Sequence, residues 1–377
     1  MSTKRPRVVL TIRHPVGGIR TYVRYIYEQS FFDDFRFTLI VADDALQDFF
    51  GRIFSGRDFE YIACDSTRDM ATALWRYRRQ HDVALVHSHG FTAGAVSVLA
   101  LAGCSTPHLM TAHDVFLSRQ FAGFRGQVKQ WLLSRLFAGM DAIHTVSYDA
   151  SDNLLQFMPA VRSDRVCCIP HGIDSERFYQ ARPASLSLEY DADNTVLIGF
   201  FGRFMAQKGF RYLVDAIDII QREKLSTRQP LVLTFDWGGF VREEYAAIEQ
   251  RGLAACFHMM QYTEDMPAMI KAMDMVVMPS LWESSGLLGM EALVAGVPIV
   301  AASCIGLREV LADSPAVMVP PADARALAQA IAAQMNAPDT MVFRDYADTA
   351  RQRYALQRPA RALRELYDRL LQERGRR

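Results

Sequence analysis

Short apolar runs recur along the chain and alternate with longer stretches that have helical spacing. In the first half these runs are Arg7 to Ile12, Phe37 to Val41, Ala84 to His87, Pro107 to Ala112, Ala142 to Val146 and Val166 to Ile169. The pattern restarts with Val196 to Phe201, Leu231 to Phe235, Met275 to Met278 and Ile299 to Ala301. Strands that alternate with helices predict a parallel, doubly wound sheet. Two such series predict an α/β protein with two domains.

The boundary between the two series lies in a stretch without strong apolar periodicity. This stretch covers residues 180–194 and contains Pro183, so it is typical of a linker. We therefore expect an N-terminal domain over residues 1–178 and a C-terminal domain over residues 179–356. A length of 377 residues is comfortable for two domains of ordinary size.

The stretch from Pro279 to Val300 predicts a β-α-β unit with a binding site. Pro279 ends a buried strand, a helix runs from about Gly286 to Ala295, and Gly296 stops it. The helix is almost entirely apolar, so its one charge, Glu291, requires a fixed partner or a polar ligand. The turn before it, where ligands of open α/β sheets bind, contains Glu283.

Backbone N–H groups at the start of this helix predict an anion site. They belong to the segment from Ser284 through Gly286 and Leu287 to Leu288, where the glycine permits close approach. The alternative is a structural one, in which Glu283 is a solvated turn residue and Glu291 is paired with an arginine in the core. Because strand, turn, glycine, apolar helix and stop signal occur together, we favour the ligand site.

Two further strand-to-helix turns have the composition of phosphate sites. Arg203 and Lys208 stand five residues apart in the turn GRFMAQKG over residues 202–209, an arrangement that can clamp a diphosphate. Each cation taken alone would be interpreted as a surface charge rather than as a ligand-binding group. Gly17 and Gly18 follow the first strand, where they form either a tight turn or a loop that approaches a phosphate.

These motifs resemble retaining glycosyltransferase family 4, whose members have the GT-B fold. The resemblance is carried by ESSGLLGMEA over residues 283–292, GVP over residues 296–298 and the Arg203 to Lys208 turn. Ser285 stands where the family more often has Phe or Cys. Trp237 also departs from the family, which usually has a Gly-rich turn there.

The resemblance implies two Rossmann-like domains that face each other across a cleft. It gives Arg203 and Lys208 to the donor phosphates, Glu291 to the ribose and Glu283 to the hydroxyls of the transferred sugar. It further implies that His113 approaches this sugar and that Gly17 and Gly18 contact the diphosphate. Gln261 and Tyr262 would lie near the base, and the last helix, about residues 357–377, would pack back on the first domain.

The reaction implied is metal-independent transfer of a hexose from a UDP- or GDP-sugar to a hydroxyl of a glycan or lipid-linked acceptor. The leaving diphosphate would be stabilised by the two cations and the backbone amides, so no essential metal or cofactor is expected. Bacterial polysaccharide, lipopolysaccharide or glycolipid synthesis would be the setting. A GT-B epimerase of sugar nucleotides and a non-catalytic binding protein are the alternatives.

Composition narrows the location and the partners. Lys and Arg number 42, as do Asp and Glu, and this balance argues against a nucleic-acid partner. The six cysteines show no C-x-x-C spacing, which fits a reducing cytoplasm, and we expect neither a signal peptide nor a membrane span. From Phe116 to Phe137 apolar and basic residues alternate. This segment is either a helix on an anionic membrane, at the inner face, or an ordinary surface helix.

Overall fold

The computed structural model describes residues 5–15, 17–43, 45–235, 241–261 and 263–375. The chain forms two compact units: Met1–His171 together with Leu356–Arg377, and Gly172–Ala355. The sequence placed the division after residue 178, within a helix that packs on helices of the second unit. Trp237 and Tyr262 lie outside the described residues.

Each unit contains one parallel sheet. The strands, in chain order, are β1 (Arg7–Ile12), β2 (Arg36–Val41), β3 (Phe59–Ala63), β4 (Leu85–His89), β5 (His108–Ala112), β6 (Ala142–Thr145), β7 (Val166–Cys168), β8 (Thr195–Gly199), β9 (Gln229–Phe235), β10 (Phe257–Met260), β11 (Met275–Met278), β12 (Ile299–Ala302) and β13 (Val317–Val319). The sheet orders are β3-β2-β1-β4-β5-β6-β7 and β10-β9-β8-β11-β12-β13. The predicted doubly wound α/β fold is thereby confirmed, while β3, β10 and β13 were not predicted.

Helices cover both sheets. They are α1 (Gly18–Tyr27), α2 (Gln47–Ile53), α3 (Thr67–Gln80), α4 (Phe91–Ala100), α5 (Gly123–Phe137), α6 (Tyr148–Phe157), α7 (Ser175–Gln180), α8 (Phe210–Glu223), α9 (Val241–Gln250), α10 (Met266–Lys271), α11 (Leu287–Ala295), α12 (Leu307–Val310), α13 (Ala324–Asn336), α14 (Thr340–Arg353) and α15 (Gln357–Gly375). The central strands are buried along most of their length, as expected for parallel strands with helices on both faces.

The last helix belongs to the first unit. Its Tyr367 is fully buried, and Arg364 forms an ion pair with Asp34 at 2.6 Å. Hydrophobic residues Leu363, Leu366 and Leu370 complete its buried face. The helix is thereby held by apolar burial and by an ion pair at its edge.

The order of strands reverses at one point in each sheet. In the first sheet this point lies between β1 and β4, and in the second between β8 and β11. Chain connections leave in opposite directions there, so a crevice opens beyond the carboxyl ends of the two strands. The turn after β8 and the turn after β11 therefore meet at the place where such sheets bind ligands.

Candidate active site

The turn between β8 and α8 contains both predicted cations. Lys208 ends a short 3-10 turn, Ala206–Lys208, and Gly209 then adopts the left-handed conformation with φ 67° before α8 begins. Arg203 is half-buried, and its side chain makes no hydrogen bond or ion pair with any residue that the structure describes. Its positive charge is therefore available to a ligand.

Glu283 lies in the turn after β11 and is paired with Lys208. The distance from Lys208 Nζ to Glu283 Oε1 is 2.6 Å, and Ser280 Oγ donates to the same oxygen at 2.8 Å. Only 6% of Glu283 is exposed. Both bonds end on Oε1, and none of the described residues bonds Oε2, so one carboxylate oxygen can accept a further hydrogen bond.

Backbone contacts fix the two turns against each other. Leu281 N donates to Gln207 O at 2.8 Å, and Gln207 Nε2 donates to Trp282 O at 3.0 Å. A Cβ atom on Gly209 would lie 1.9 Å from the carbonyl oxygen of Pro279, so only glycine fits there. The spacing between Lys208 and Glu283 is consequently set by backbone geometry.

The start of α11 is the segment for which the sequence predicted an anion site. Gly286 precedes the helix with φ 69°, and no side chain caps the first turn. The half-buried residues of this segment are Ser284, Leu287, Leu288 and Glu291, spaced three or four apart, whereas the residues between them are buried. Because this spacing places side chains on one helical face, Leu287, Leu288 and Glu291 share the open, half-buried face of α11, while Ser284 lies in the turn before the helix.

The local charge of these turns is positive. Lys208 and Glu283 neutralise each other, Arg203 adds one positive charge, and the N-terminus of α11 adds the positive end of a helix dipole. Cys304 lies nearby, where burial and the charge of Glu283 raise the pKa of its thiol to about 12. The arrangement suits a polyanionic ligand with hydroxyl groups beside it.

The remaining predicted residues, Gly17, Gly18 and His113, belong to the first unit. Gly17 has φ 54° and stands at the start of α1 without a side-chain cap. His113 follows β5 and is half-buried, with its Nε2 3.0 Å from Nδ1 of His89. Its ring packs edge-on against the ring of Tyr22, with 4.9 Å between centroids.

His113 is the outer end of a polar network that the sequence did not predict. Buried members of the network are His87, His89, Thr111, His144, Tyr27 and Tyr367. Burial lowers the pKa of His89 to about 3 and that of His144 to about 4. Burial, with the neighbouring histidines, also lowers the pKa of His87 and of His113 well below the usual range, so these rings are neutral at pH 7.

Histidine clusters also raise the question of a metal. In the part of the chain that the structure describes, no group of three or more His, Cys, Asp or Glu side chains is arranged to hold a metal ion. The histidine nitrogens are instead engaged with hydroxyl groups, a carbonyl and each other. The same ranges contain no helix with the length and apolar character of a membrane span.

Two family models match the chain. Residues 16–177 match the model described as Glycosyltransferase Family 4, and residues 195–336 match Glycosyl transferases group 1. Alpha-maltose-1-phosphate synthase of Mycolicibacterium smegmatis is 30% identical over 61% of this chain and 62% of its own length. The lipopolysaccharide core biosynthesis mannosyltransferase LpsB of Rhizobium meliloti is 26% identical over 54% of this chain and 60% of its own. The chain thus spans about three-fifths of these relatives.

Solved structures share the fold over nearly the whole chain. HepE of Anabaena in complex with UDP has a TM-score of 0.78 at 17% identity, over 96% of this chain and 99% of its own. Sucrose-phosphate synthase of Thermosynechococcus elongatus has a TM-score of 0.78 at 20% identity, over 98% of this chain and 100% of its own. At these identities the likeness establishes the fold alone.

Proposed function

Because this chain belongs to the GT-B glycosyltransferases of the family 4 type, we propose that it moves a hexose from a nucleoside diphosphate sugar to a hydroxyl group. The observation that carries the proposal is the junction of two turns at the carboxyl ends of β8 and β11. There Arg203, Lys208 and the open start of α11 provide positive charge, and Glu283 offers a free carboxylate oxygen.

The chemistry follows from where charge develops. When the bond from the anomeric carbon to the phosphate breaks, the departing diphosphate gains negative charge. Arg203, Lys208 and the amides at the start of α11 would stabilise that charge, so we propose that the reaction needs no metal. Glu283 Oε2 would bind a hydroxyl of the transferred sugar, and Glu291, on the open face of α11, would bind the ribose.

We further propose that the anomeric configuration is retained, with His113 close to the transferred sugar and Gly17 and Gly18 at the diphosphate. The family resemblance supports these roles. For the nucleotide we favour UDP over GDP, because the similar HepE structure is a complex with UDP.

The acceptor we propose is a glycan or a lipid-linked glycan of envelope polysaccharide, lipopolysaccharide or glycolipid synthesis. Support comes from α5, whose outer face contains apolar residues next to cations. Phe124 is 81% exposed and Trp131 is 58% exposed, while Arg125, Lys129 and Arg135 are exposed beside them. Such a face favours contact with an anionic membrane, so we place the enzyme in the cytoplasm at the inner membrane surface.

The test begins with donor binding. Thermal unfolding should be measured with UDP, GDP and ADP and with their glucose and mannose conjugates, on the native chain and on Arg203→Ala. We expect one nucleotide to raise the Tm of the native chain and to lose most of this effect in the variant. A chain stabilised by no nucleotide, or equally in both forms, would contradict the proposed site.

Product analysis then separates the candidate reactions. The stabilising nucleotide sugar is incubated with and without a membrane extract that contains lipid-linked glycans. Transfer requires the extract, whereas an epimerase would convert the sugar nucleotide without it, and a binding protein would leave it intact. The coupling constant of the product's anomeric proton reports whether configuration is retained.

A further inference from the structure

The polar network of the first unit is a continuous chain of hydrogen bonds that begins at a backbone carbonyl. The first part runs from Ile169 O to His144 Nε2 at 3.0 Å, from His144 Nδ1 to Thr111 Oγ1 at 2.9 Å and from Thr111 Oγ1 to His87 Nε2 at 2.7 Å. In the middle, His87 Nδ1 lies 2.7 Å from Tyr367 Oη and 2.9 Å from Tyr27 Oη, and the two hydroxyls lie 2.8 Å apart. The last part runs from Tyr27 Oη to His89 Nε2 at 3.4 Å and from His89 Nδ1 to His113 Nε2 at 3.0 Å.

The carbonyl determines the direction of the first bonds. A carbonyl oxygen only accepts, so His144 donates from Nε2, and its neutral ring then has a lone pair at Nδ1. The Thr111 hydroxyl must therefore give its single proton to His144. Having used that proton, Thr111 can only accept from His87, which places the His87 proton on Nε2.

The two tyrosines extend the same direction. His87 Nδ1 now has a lone pair, and it forms a triangle of short contacts with the hydroxyls of Tyr27 and Tyr367. Two hydroxyl protons serve three contacts, so one contact lacks a proton whichever tyrosine donates to His87, and turning the Tyr27 proton out to His89 would leave a second contact without one. Either way, the proton of Tyr27 is used inside the triangle.

His89 must then donate to Tyr27 rather than accept from it. The contact is long at 3.4 Å, yet a lone pair on His89 Nε2 would face a second lone pair on Tyr27. With its proton on Nε2, neutral His89 has a lone pair at Nδ1. His113 therefore donates from Nε2 at 3.0 Å, and its own Nδ1 is unprotonated.

We propose that this chain of bonds holds His113 as the Nε2–H tautomer and presents its Nδ1 lone pair as a hydrogen-bond acceptor for a hydroxyl of the sugar donor or the acceptor. No described residue hydrogen-bonds His113 Nδ1. Tyr27 and His89 are then positioning residues, since they set the tautomer of His113 through its other nitrogen. The use of Nδ1 rests on the proposed transferase function, whereas the tautomer does not.

Other contacts of the network leave this direction unchanged. Tyr22 lies 3.5 Å from His144 Nδ1, farther than Thr111, so it adds at most a second donor to the same lone pair. Its ring lies edge-on to the ring of His113 and 5.0 Å from that of His171, which restricts rotation of the His113 ring. Burial keeps the member histidines neutral, as the derivation requires.

Nitrogen NMR of protein labelled with ¹⁵N-histidine tests the tautomer directly. Long-range ¹H–¹⁵N correlations distinguish a protonated from an unprotonated ring nitrogen, and the spectrum of His113→Asn identifies the resonances that belong to His113. We expect His113 to show a protonated Nε2 and an unprotonated Nδ1 at pH 7.5. A protonated Nδ1 in the native chain would overturn the proposal, whether or not the chain transfers sugar.

Two matched variants test whether the chain of bonds is the cause. Tyr27→Phe and Tyr367→Phe each remove one buried hydroxyl. Without Tyr367, Tyr27 still donates to His87 and accepts from His89, so His113 should be unchanged. Without Tyr27, His89 loses its acceptor, and about half of the unprotonated Nδ1 signal of His113 should be lost if both directions become equal in energy. An unchanged His113 in Tyr27→Phe, or an altered one in Tyr367→Phe, would contradict the derived direction.

Discussion

The pair formed by Lys208 and Glu283 has two roles that a single substitution does not separate. Its ions are close to each other and mostly shielded from water, so each stabilises the other's charge. The same ions face the proposed diphosphate and sugar. Removing Lys208 alone leaves Glu283 as a buried carboxylate with only Ser280 as a partner, and an uncompensated buried charge costs about 3–5 kcal/mol.

A double variant resolves this ambiguity. We expect Lys208→Ala to lower kcat by about a hundredfold, the usual effect of losing one preorganised donor, and to lower the Tm as well. Lys208→Ala/Glu283→Gln should recover most of the Tm, because the buried charge is gone, but none of the activity. Lys224→Gln, which changes an exposed lysine at the end of α8, is the control. Near-normal turnover of either Lys208 variant would refute its role at the leaving group.

Glu291 can be tested by nucleotide binding alone. It is half-buried on the open face of α11, where it would hold the ribose. We expect Glu291→Ala to weaken binding of the free nucleoside diphosphate by about tenfold or more in calorimetry, the effect of losing one charged hydrogen bond. Glu249→Ala, an exposed glutamate on α9, should bind normally. Equal affinity of both variants would remove Glu291 from the site.

At the scale of elements, the site depends on the close approach of two turns. Gly209, with φ 67°, directly precedes α8, and Gly252, with φ 71°, follows α9. They differ in their surroundings. A Cβ on Gly209 would collide with Pro279 O, whereas a Cβ on Gly252 would meet nothing within 4 Å.

This difference separates backbone strain from steric exclusion. Alanine at either position costs about 1 kcal/mol for the left-handed conformation. Gly209→Ala must in addition push the turn after β11 away, so we expect a free energy of unfolding lower by at least about 2 kcal/mol more than in Gly252→Ala, together with loss of nucleotide binding. Urea denaturation followed by a probe in the second unit measures the free energy of unfolding of both variants, and calorimetry measures their nucleotide binding. Equal destabilisation by the two alanines would mean that the turn after β11 can move away from position 209 at little cost in free energy.

Helix α5 has apolar residues on opposite faces, which explains why sequence reasoning left its role open. Phe137 is buried and Leu133 and Leu136 pack against the core cluster of the first unit, so the helix is an ordinary structural one. Phe124, Val128, Trp131 and Leu132 nevertheless point outward. The two expectations for this segment are therefore compatible with each other.

Vesicle binding tests the outer face of α5. We expect the native chain to sediment with vesicles that contain anionic phosphatidylglycerol and to bind neutral phosphatidylcholine vesicles more weakly. Phe124→Ser/Trp131→Ser should abolish most of the binding, and Arg125→Gln/Lys129→Gln should weaken it by about thirtyfold, since each cation contributes about 1 kcal/mol. Met341→Ser/Val342→Ser removes equally exposed apolar residues from α14 and should have no effect. Binding lost equally in all three variants would contradict a specific surface.

Sequence patterns predicted the buried strands and the helix beside them but missed three strands at the edges of the sheets. The segment around Glu291 was predicted nearly to the residue, because a buried strand, a capped helix and a stop signal all leave local marks. The strands that were missed, β3, β10 and β13, all lie at edges of sheets and are mostly half-buried or exposed, so they lack the buried apolar run of a central strand.

At the scale of the whole chain, the histidine network could not be predicted, because its members come from separate strands. His87 and His89 are on β4, Thr111 is on β5 and His144 is on β6, whereas Tyr367 is on α15, 280 residues after His87. Their meeting depends on sheet order and on the return of α15 to the first unit. Nothing in the local sequence of any one member shows this.

The buried histidines, inside and outside the network, make the stability of the first unit depend on pH. Six histidines of this unit have a lowered pKa, namely His87, His89, His108, His113, His144 and His171, mainly because burial disfavours their charged form. In the unfolded chain a histidine titrates near pH 6.5. Below that pH the unfolded state binds more protons than the native state, so the free energy of unfolding falls as the pH falls. For each histidine the fall continues until the pH reaches its native pKa, which is about 3 for His89 and about 4 for His144.

Urea unfolding of the first unit at pH 7.5, 6.0 and 5.0 should show this loss, at about 1.4 kcal/mol per histidine for each pH unit below 6. His171→Asn supplies a matched comparison, because it removes one buried titrating ring that forms no side-chain hydrogen bond with any described residue. In this variant we expect the free energy of unfolding to fall less steeply with falling pH, by the amount that corresponds to about one proton. His81→Asn, which removes an exposed ring of the same unit, should leave the slope unchanged. A first unit as stable at pH 5.0 as at pH 7.5 would mean that the buried rings take up protons between these pH values as readily as those of the unfolded chain, which would contradict their lowered pKa.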